Sequence, residues 1–139
     1  MTNYLNPEPH DELDMSAMGS LYLAHIGDAV YELMTRSYLC SKSVTSAGRL
    51  HRETVRRVCA RAQANAAESI LPLLTQEEQA VYRRGRNARV HAVPKGASHA
   101  QYHAATAVEA LFGWLYLRGS HDRLNLLYDT IIKEFTDAT

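Results

Sequence analysis

Two strongly apolar segments, residues 18–34 and 106–117, leave this chain few ways to fold. Eleven of the 17 residues in the first segment are apolar and recur on nearly all faces of a helix, which is typical of a helix buried in a core. Each segment carries one carboxylate that interrupts it, Asp28 in HIGDAVYEL and Glu109 in TAVEALFGWLYL, and each has a glycine nearby. A glycine costs about 1 kcal/mol relative to alanine inside a helix, and an unpaired buried carboxylate costs more. We therefore expect the two helices to approach closely at their glycines, with the carboxylates sharing a ligand or a partner.

The rest of the sequence also predicts helices. S/T-x-x-E/Q capping boxes begin at Thr75 and Ser98, and Pro72 ends the helix before it. The predicted helices span residues 18–41, 46–71, 75–84, 98–119 and 120–135. Residues 85–97 hold two glycines and a proline without apolar periodicity, so they are predicted to form a long loop. No segment shows sustained strand alternation, and the predicted fold class is all-α.

Length and composition favour one small intracellular domain. A chain of 139 residues suits a single core. The acidic, proline-containing residues 1–15 are expected to form a loosely ordered arm, and residues 16–139 a single domain. Two cysteines without disulfide-framework spacing favour a reducing compartment. The N-terminus resembles no targeting signal and the apolar stretches are too short to span a bilayer, so a cytoplasmic protein without a membrane partner is expected.

The formal net charge of zero hides a strong segregation of charge. Residues 79–108 contain five cations and no acidic residue, and residues 46–67 contain five arginines and one acid. The arginine-rich face of residues 46–67 is equally consistent with an ordinary solvated helix. The second region is harder to explain without an anion, and arginine forks suit the phosphates of nucleic acid. Its candidate RNA contacts are Arg83, Arg84, Arg86, Asn87, Arg89 and Lys95.

The two isolated carboxylates have two interpretations. Asp28 and Glu109 could hold Mg²⁺, which commonly takes one or two protein carboxylates and completes its shell with water and substrate phosphate. Alternatively, each could be structural, paired with an arginine or with capping hydrogen bonds. They lie 81 positions apart in the sequence, which leaves their proximity open.

The same segments carry a family resemblance. IGDAVYEL and AVEALFGWLYL resemble the two signature helices of the ribonuclease III catalytic domain, and RLHRETVRRVCARAQA and RRGRNAR resemble the small Mini-ribonuclease III subfamily. The resemblance implies an all-helical endonuclease domain that works as a homodimer. It also implies cleavage of double-stranded RNA with Mg²⁺ and maturation of the ends of large-subunit (23S) ribosomal RNA. A separate double-stranded-RNA-binding domain is not expected in residues 16–139.

Carried over by position, the resemblance makes Asp28 and Glu109 the catalytic and metal-binding residues. Full-length relatives have further acids where this chain has Ala24 and Thr106, so more of the metal shell here must be water or RNA. Glu32, one turn after Asp28, could orient a ligand from outside the metal shell or simply pair with Arg36 on the helix surface.

Two rival functions remain at this stage. One is a non-catalytic RNA-binding or ribosome-associated module that keeps the ribonuclease III fold, and the other is a helical protein whose basic region meets an acidic partner. The presence of both Asp28 and Glu109 favours the enzyme, because a degenerate member has no need to keep charges in apolar helices.

Overall fold

The structure, a computed structural model, has six α-helices and one short 3₁₀ turn among the residues that it describes. It describes residues 3–5, 8, 18–42, 46–88 and 95–135, and none of these forms a β-strand. The predicted all-α fold class is confirmed. The helices are α1 (Ser20–Ser41), α2 (Ala47–Val58), α3 (Ala60–Ile70), α4 (Gln76–Arg86), α5 (His99–Leu117) and α6 (His121–Glu134), with the 3₁₀ turn at Leu71–Leu73. Within the described ranges, no helix has the length and apolar character needed to cross a membrane.

Helix α5 is the centre of the molecule. All residues from 105 to 115 except Glu109 are buried, because α1, α3, α4 and α6 all pack against this helix. Its apolar sequence therefore faces protein on nearly every side, as the continuous hydrophobicity of residues 106–117 predicts. Between residues 105 and 115, only Glu109 is partly exposed, so the fold opens a route to solvent at the carboxylate.

Helices α1 and α5 cross at two glycines. A Cβ atom on Gly27 would overlap the backbone carbonyl of Glu109, and a Cβ atom on Gly113 would overlap the carbonyl of Leu23. Neither position has room for a side chain, because backbone meets backbone there. The prediction that glycines beside the two carboxylates bring the helices together is confirmed.

The predicted helix over residues 46–71 is wrong in one respect, because it is two helices. Cys59 separates α2 from α3 with an extended backbone (φ −66°, ψ 159°), and its N–H still donates to the carbonyl of Val55. Neither proline nor glycine marks the break. The change of direction lets α3 bury Ala62, Ala66 and Ile70 against the core, while α2 keeps its arginine-rich surface outside.

The predicted loop over residues 85–97 begins too early. Gly85 and Arg86 belong to α4. Gly85 is buried against α5, and a Cβ atom built on it would lie 2.9 Å from both Ala107 Cα and Ala110 Cβ. Glycine here serves close helix packing and does not end the helix.

Both predicted capping boxes are confirmed, at Thr75 with Glu78 and at Ser98 with Gln101. Most of the acidic arm and residues 89–94 lie outside the described residues.

The sequence predicts that helix α1 is buried on nearly all sides. This prediction is wrong. The buried residues of α1 face α5, but Tyr22 is 65% exposed and Leu33 58% exposed, and Leu21 is also exposed. A single chain of this size has too few helices to cover both faces of α1. An apolar helix surface therefore remains open in the protomer.

Candidate active site

The α1–α5 crossing brings Asp28 and Glu109 together. Burial, the charge of Asp28 and a hydrogen bond between the two carboxyl groups raise the pKa of Glu109 to about 8, against a weaker lowering by the Gln63 side chain. The proximity that a separation of 81 positions left open is thus settled by the packing of the two helices. Among the described residues no ion pair joins Glu109 to an arginine, and the side chains that shift its pKa are Asp28 and Gln63.

The two carboxyl groups differ in exposure. Glu109 is half-buried, whereas Asp28 is exposed at the edge of the crossing. The expectation that both charges are desolvated is therefore wrong for Asp28, because it lies on the part of α1 that α2, α4 and α5 leave uncovered. One carboxyl group at the surface and one below it form a site that a solvated cation can reach from outside.

No third histidine, cysteine, aspartate or glutamate joins this pair in the part of the chain that the structure describes. His, Cys, Asp and Glu side chains form no cluster of three or more there. Ala24 is buried, and Thr106 is buried with its hydroxyl donating to the carbonyl of Tyr102 at 3.0 Å. The two positions that are acidic in full-length relatives thus contribute no carboxylate, which agrees with the expectation of a small protein share in the metal shell.

Glu32 has a partner of its own. Its Oε2 accepts from Arg36 Nη2 at 2.8 Å across one helical turn, and both side chains are solvent-exposed by more than a third. Surface pairing is the arrangement that the structure shows. A role for Glu32 in orienting a ligand stays a prediction.

A cavity of about 450 Å³ lies next to Glu109, between the N-terminus of α3, α5 and the turn at residues 95–97. Its wall includes Glu109, Gln63, Arg61 and Lys95. Lys95 is therefore the one member of the predicted basic set that the described structure places beside the carboxylates. The turn that presents it depends on Gly96, whose φ of +88° is unfavourable for other residues.

The other described members of that set lie on α4. Arg83, Arg84 and Arg86 occupy its last turn and Asn87 its C-cap. The predicted loop over residues 85–97 is therefore wrong for Arg86, whereas Arg83 and Arg84 lie in a helix as predicted. All four are exposed. At 100° per residue they surround the side of α4 opposite Gly85, which faces α5. Gly85 packs against residues 106–110 of α5, so these basic side chains project away from that helix. Arg89 lies outside the described residues.

Sequence reasoning missed one residue of the site. Gln63 is only 2% exposed and lies beside Glu109, where it favours the ionised form of that carboxyl group. The available signal was a lone amide on the side of α3 that is otherwise alanine and isoleucine. Arg61 was assigned only to a general basic face, and its place in the cavity wall was not foreseen.

Comparison with known proteins agrees with this geometry. Residues 21–120 match the ribonuclease III domain. A Mini-ribonuclease 3 of Symbiobacterium thermophilum is 47% identical over 76% of this chain and 81% of its own length. The Mini-ribonuclease 3 of Enterococcus faecalis is 40% identical over 87% of this chain and 93% of its own length. A Mini-ribonuclease 3 of Clostridium tetani is 36% identical over 100% of this chain and 93% of its own length.

A solved structure shows a similar fold. The crystal structure of a protein from Fusobacterium nucleatum superposes with a TM-score of 0.77 at 27% identity, covering 83% of this chain and 92% of that one. Asp28 and Glu109 both lie within the matched domain. The chain therefore belongs to the Mini-ribonuclease III subfamily of the ribonuclease III family, and it is an endoribonuclease.

Proposed function

We propose that this endoribonuclease cleaves double-stranded RNA with Mg²⁺ held by Asp28 and Glu109. The observation that carries the proposal is the junction of these two carboxyl groups at the α1–α5 crossing, which raises the pKa of Glu109 through burial and the Asp28 charge. A shared divalent cation removes that repulsion. Two neighbouring carboxylates also match the ligand number that Mg²⁺ takes from proteins.

The site suits a cation that keeps most of its shell for water and RNA. Bound Mg²⁺ would lower the pKa of a water molecule and stabilise negative charge at the reacting phosphate. Asp28, at the exposed edge, can meet a cation that arrives with its water and with the RNA strand. Glu109 lies on α5, which is packed in the centre of the protein, so the backbone that carries this ligand is held in place.

The basic residues suit recognition of the duplex by its backbone. A-form RNA hides its base edges in a deep, narrow groove and is recognised mostly through shape, phosphates and 2′-hydroxyls. Arg83, Arg84, Arg86 and Asn87 project from α4 on the side away from the core, and Lys95 lies beside the carboxylates. Cations in the last turn of a helix also interact favourably with the helix dipole, but that effect accounts for no more than about 1 kcal/mol each.

We propose a homodimer formed through the open face of α1. Tyr22, Ala29 and Leu33 are exposed and recur at helical spacing, so they form one apolar stripe. A second copy of the same stripe is a self-complementary partner under two-fold symmetry. Asp28 lies about a third of the way round α1 from this stripe, so the stripe can pair while both sites stay open to one duplex.

The proposed biological substrate is the precursor of large-subunit (23S) ribosomal RNA in the cytoplasm. This part of the proposal rests on membership of the Mini-ribonuclease III subfamily, because the family resemblance implies maturation of the ends of that RNA. A compact duplex reader with basic contacts on α4 fits a helical stem formed by paired RNA ends.

Cleavage of duplex RNA and of precursor ribosomal RNA tests the proposal. We expect Mg²⁺-dependent cleavage that EDTA abolishes. Asp28→Asn should abolish cleavage while leaving folding and duplex binding nearly unchanged, because it removes a charge without changing size. Asp122→Asn is the matched control, since Asp122 is an exposed aspartate at the start of α6, and it should cleave like the wild type.

Two outcomes would contradict the proposal. Activity of Asp28→Asn within a few-fold of the wild type would rule out this metal site. Tight duplex binding by the wild-type protein without any cleavage in Mg²⁺ would instead favour the non-catalytic RNA-binding module.

A further inference from the structure

The cavity beside Glu109 has features that the two carboxylates do not explain. Its volume of about 450 Å³ lies in the range of small-molecule sites, which is more than a bare cation needs. Besides Glu109, its wall includes the start of α3, the buried amide of Gln63, two cationic residues and the ring of Tyr102. Apart from Glu109, no acidic residue lines it among the described residues.

The N-terminus of α3 opens into this cavity. Cys59 is the N-cap, and within the described chain no side chain caps the helix. The first bond of the helical pattern is Gln63 N–H to the carbonyl of Cys59 at 2.9 Å. The N–H groups of residues 60–62 therefore precede the intrahelical ladder and point in the N-terminal direction, where a helix attracts anions.

An independent observation points to a ligand at the same place. The side chain of Gln63 is 2% exposed and lines the cavity. It lies close enough to Glu109 to favour the ionised form of that carboxyl group, yet no described group accepts from its Nε2 at hydrogen-bond geometry. A buried amide donor is costly without a well-placed acceptor. An oxygen of an anion in the cavity can accept from both the amide and the helix terminus.

Two cationic side chains complete the wall. Arg61 lies in the first turn of α3 and Lys95 on the opposing turn, and both are exposed. Backbone N–H groups, an amide donor, a guanidinium and an ammonium are together the donor set of a phosphate site.

We propose that this cavity binds a phosphate group of the RNA strand, adjacent to the phosphate that is cut at Asp28 and Glu109. The inference rests on the proposed function, because it takes RNA as the source of the phosphate. Glu109 belongs both to the carboxylate pair and to the cavity wall, so a strand that places one phosphate at the pair runs its neighbour toward Arg61 and Gln63. The subsite positions the strand and takes no part in the chemical step.

The first experiment titrates the wild-type protein with inorganic phosphate and follows backbone and side-chain amide signals by NMR. We expect saturable shifts of the amides of residues 60–62 and of the Gln63 side-chain NH₂, and none with chloride at equal ionic strength. Arg61→Glu should abolish saturation. Lys133→Glu, a charge reversal of equal size on an exposed side chain of α6, should leave it intact.

The second experiment measures duplex RNA binding without metal as a function of salt. Arg61→Glu should weaken binding and lower the slope of log affinity against log salt by about one unit, as for one lost phosphate contact. Gln63→Leu should weaken phosphate binding with little loss of folding, because both shapes are similar and the unpaired donor disappears. If Gln63→Leu does not fold, the exposed Arg61 variant carries the test by itself.

The outcomes separate this inference from the proposed function. Mg²⁺-dependent duplex cleavage without phosphate-induced shifts at residues 60–63 would overturn the subsite and leave the function standing. Saturable phosphate binding by a protein that neither binds nor cleaves duplex RNA would overturn RNA as the source of the phosphate. Equal effects of Arg61→Glu and Lys133→Glu on phosphate and RNA would reduce the subsite to general electrostatics and refute it.

Discussion

Substitution of Gly27 by alanine tests the contact on which the active site is built. The added Cβ would fall inside the backbone carbonyl of Glu109 and 2.7 Å from the backbone nitrogen of Gly113. Both obstacles are backbone, so the clash is relieved only if α1 and α5 move apart. Overpacking costs typically 1–3 kcal/mol, and a backbone clash belongs at the upper end, about 3 kcal/mol. Alanine returns about 1 kcal/mol of helix propensity, which leaves a net loss of about 2 kcal/mol.

Urea unfolding at fixed protein concentration measures this loss. With a slope of about 2 kcal/mol per molar, the midpoint should fall by about 1 M. Cleavage should fall further than stability implies, because separation of the helices moves Glu109 away from Asp28. A misplacement of about 1 Å can cost about 100-fold in rate, so we expect a loss of that order at a temperature where the variant is folded.

Gly48→Ala is the matched control. Gly48 also lies in a helix, but a Cβ there would meet only the end of the Arg52 side chain, at 3.4 Å. This variant should be as stable as the wild type or more stable by up to about 1 kcal/mol, with normal cleavage. If Gly27→Ala matches Gly48→Ala in unfolding free energy and in cleavage rate, the α1–α5 contact is adjustable and the reasoning is refuted.

Three further predictions concern stability, RNA affinity and assembly. Arg123→Ala should destabilise the fold by about 3 kcal/mol, because it strips the bidentate partner (both contacts 2.8 Å) from Glu78, whose side chain is 5% exposed. Burial opposes ionisation of Glu78, but hydrogen bonds from Arg123 and the Thr75 N–H lower its pKa below 4.5. The stabilisation is therefore complete above pH 4.5 and is lost as pH falls through the lowered pKa. Urea unfolding across acidic pH should show a flatter pH dependence of the unfolding free energy in the variant. Alanine at Arg83, Arg84, Arg86 and Arg89 should weaken duplex binding and its salt dependence, while single-turnover cleavage falls far less than in Asp28→Asn. Unchanged affinity and salt slope would show that the RNA contacts lie elsewhere. Leu33→Glu should convert a dimer into monomers in sedimentation at micromolar concentration, and a fully active wild-type monomer would refute the dimer.

Features that depend on neighbours in sequence could be predicted from the sequence. The capping boxes at Thr75 and Ser98 formed as predicted, because each needs only the residue three positions later. The apolar run around Glu109 predicted a central helix for the same reason. Asp28 and Glu109 were identified as the site residues from their isolation in apolar helices together with the family resemblance, and their catalytic roles stay a prediction.

Features that depend on residues far apart in sequence were decided by the tertiary structure alone. Nothing local marks the break at Cys59, which arises because α3 turns to bury its alanine face while α2 remains outside. Gly85, a loop signal in sequence, is helical because α5 lies too close for any side chain there. Gln63 reaches Glu109 only because α3 packs on α5, and Asp28 is exposed only because α1 is covered on one side. Periodicity along the chain specifies which residues share a helix face, but which neighbour covers that face depends on contacts between distant segments.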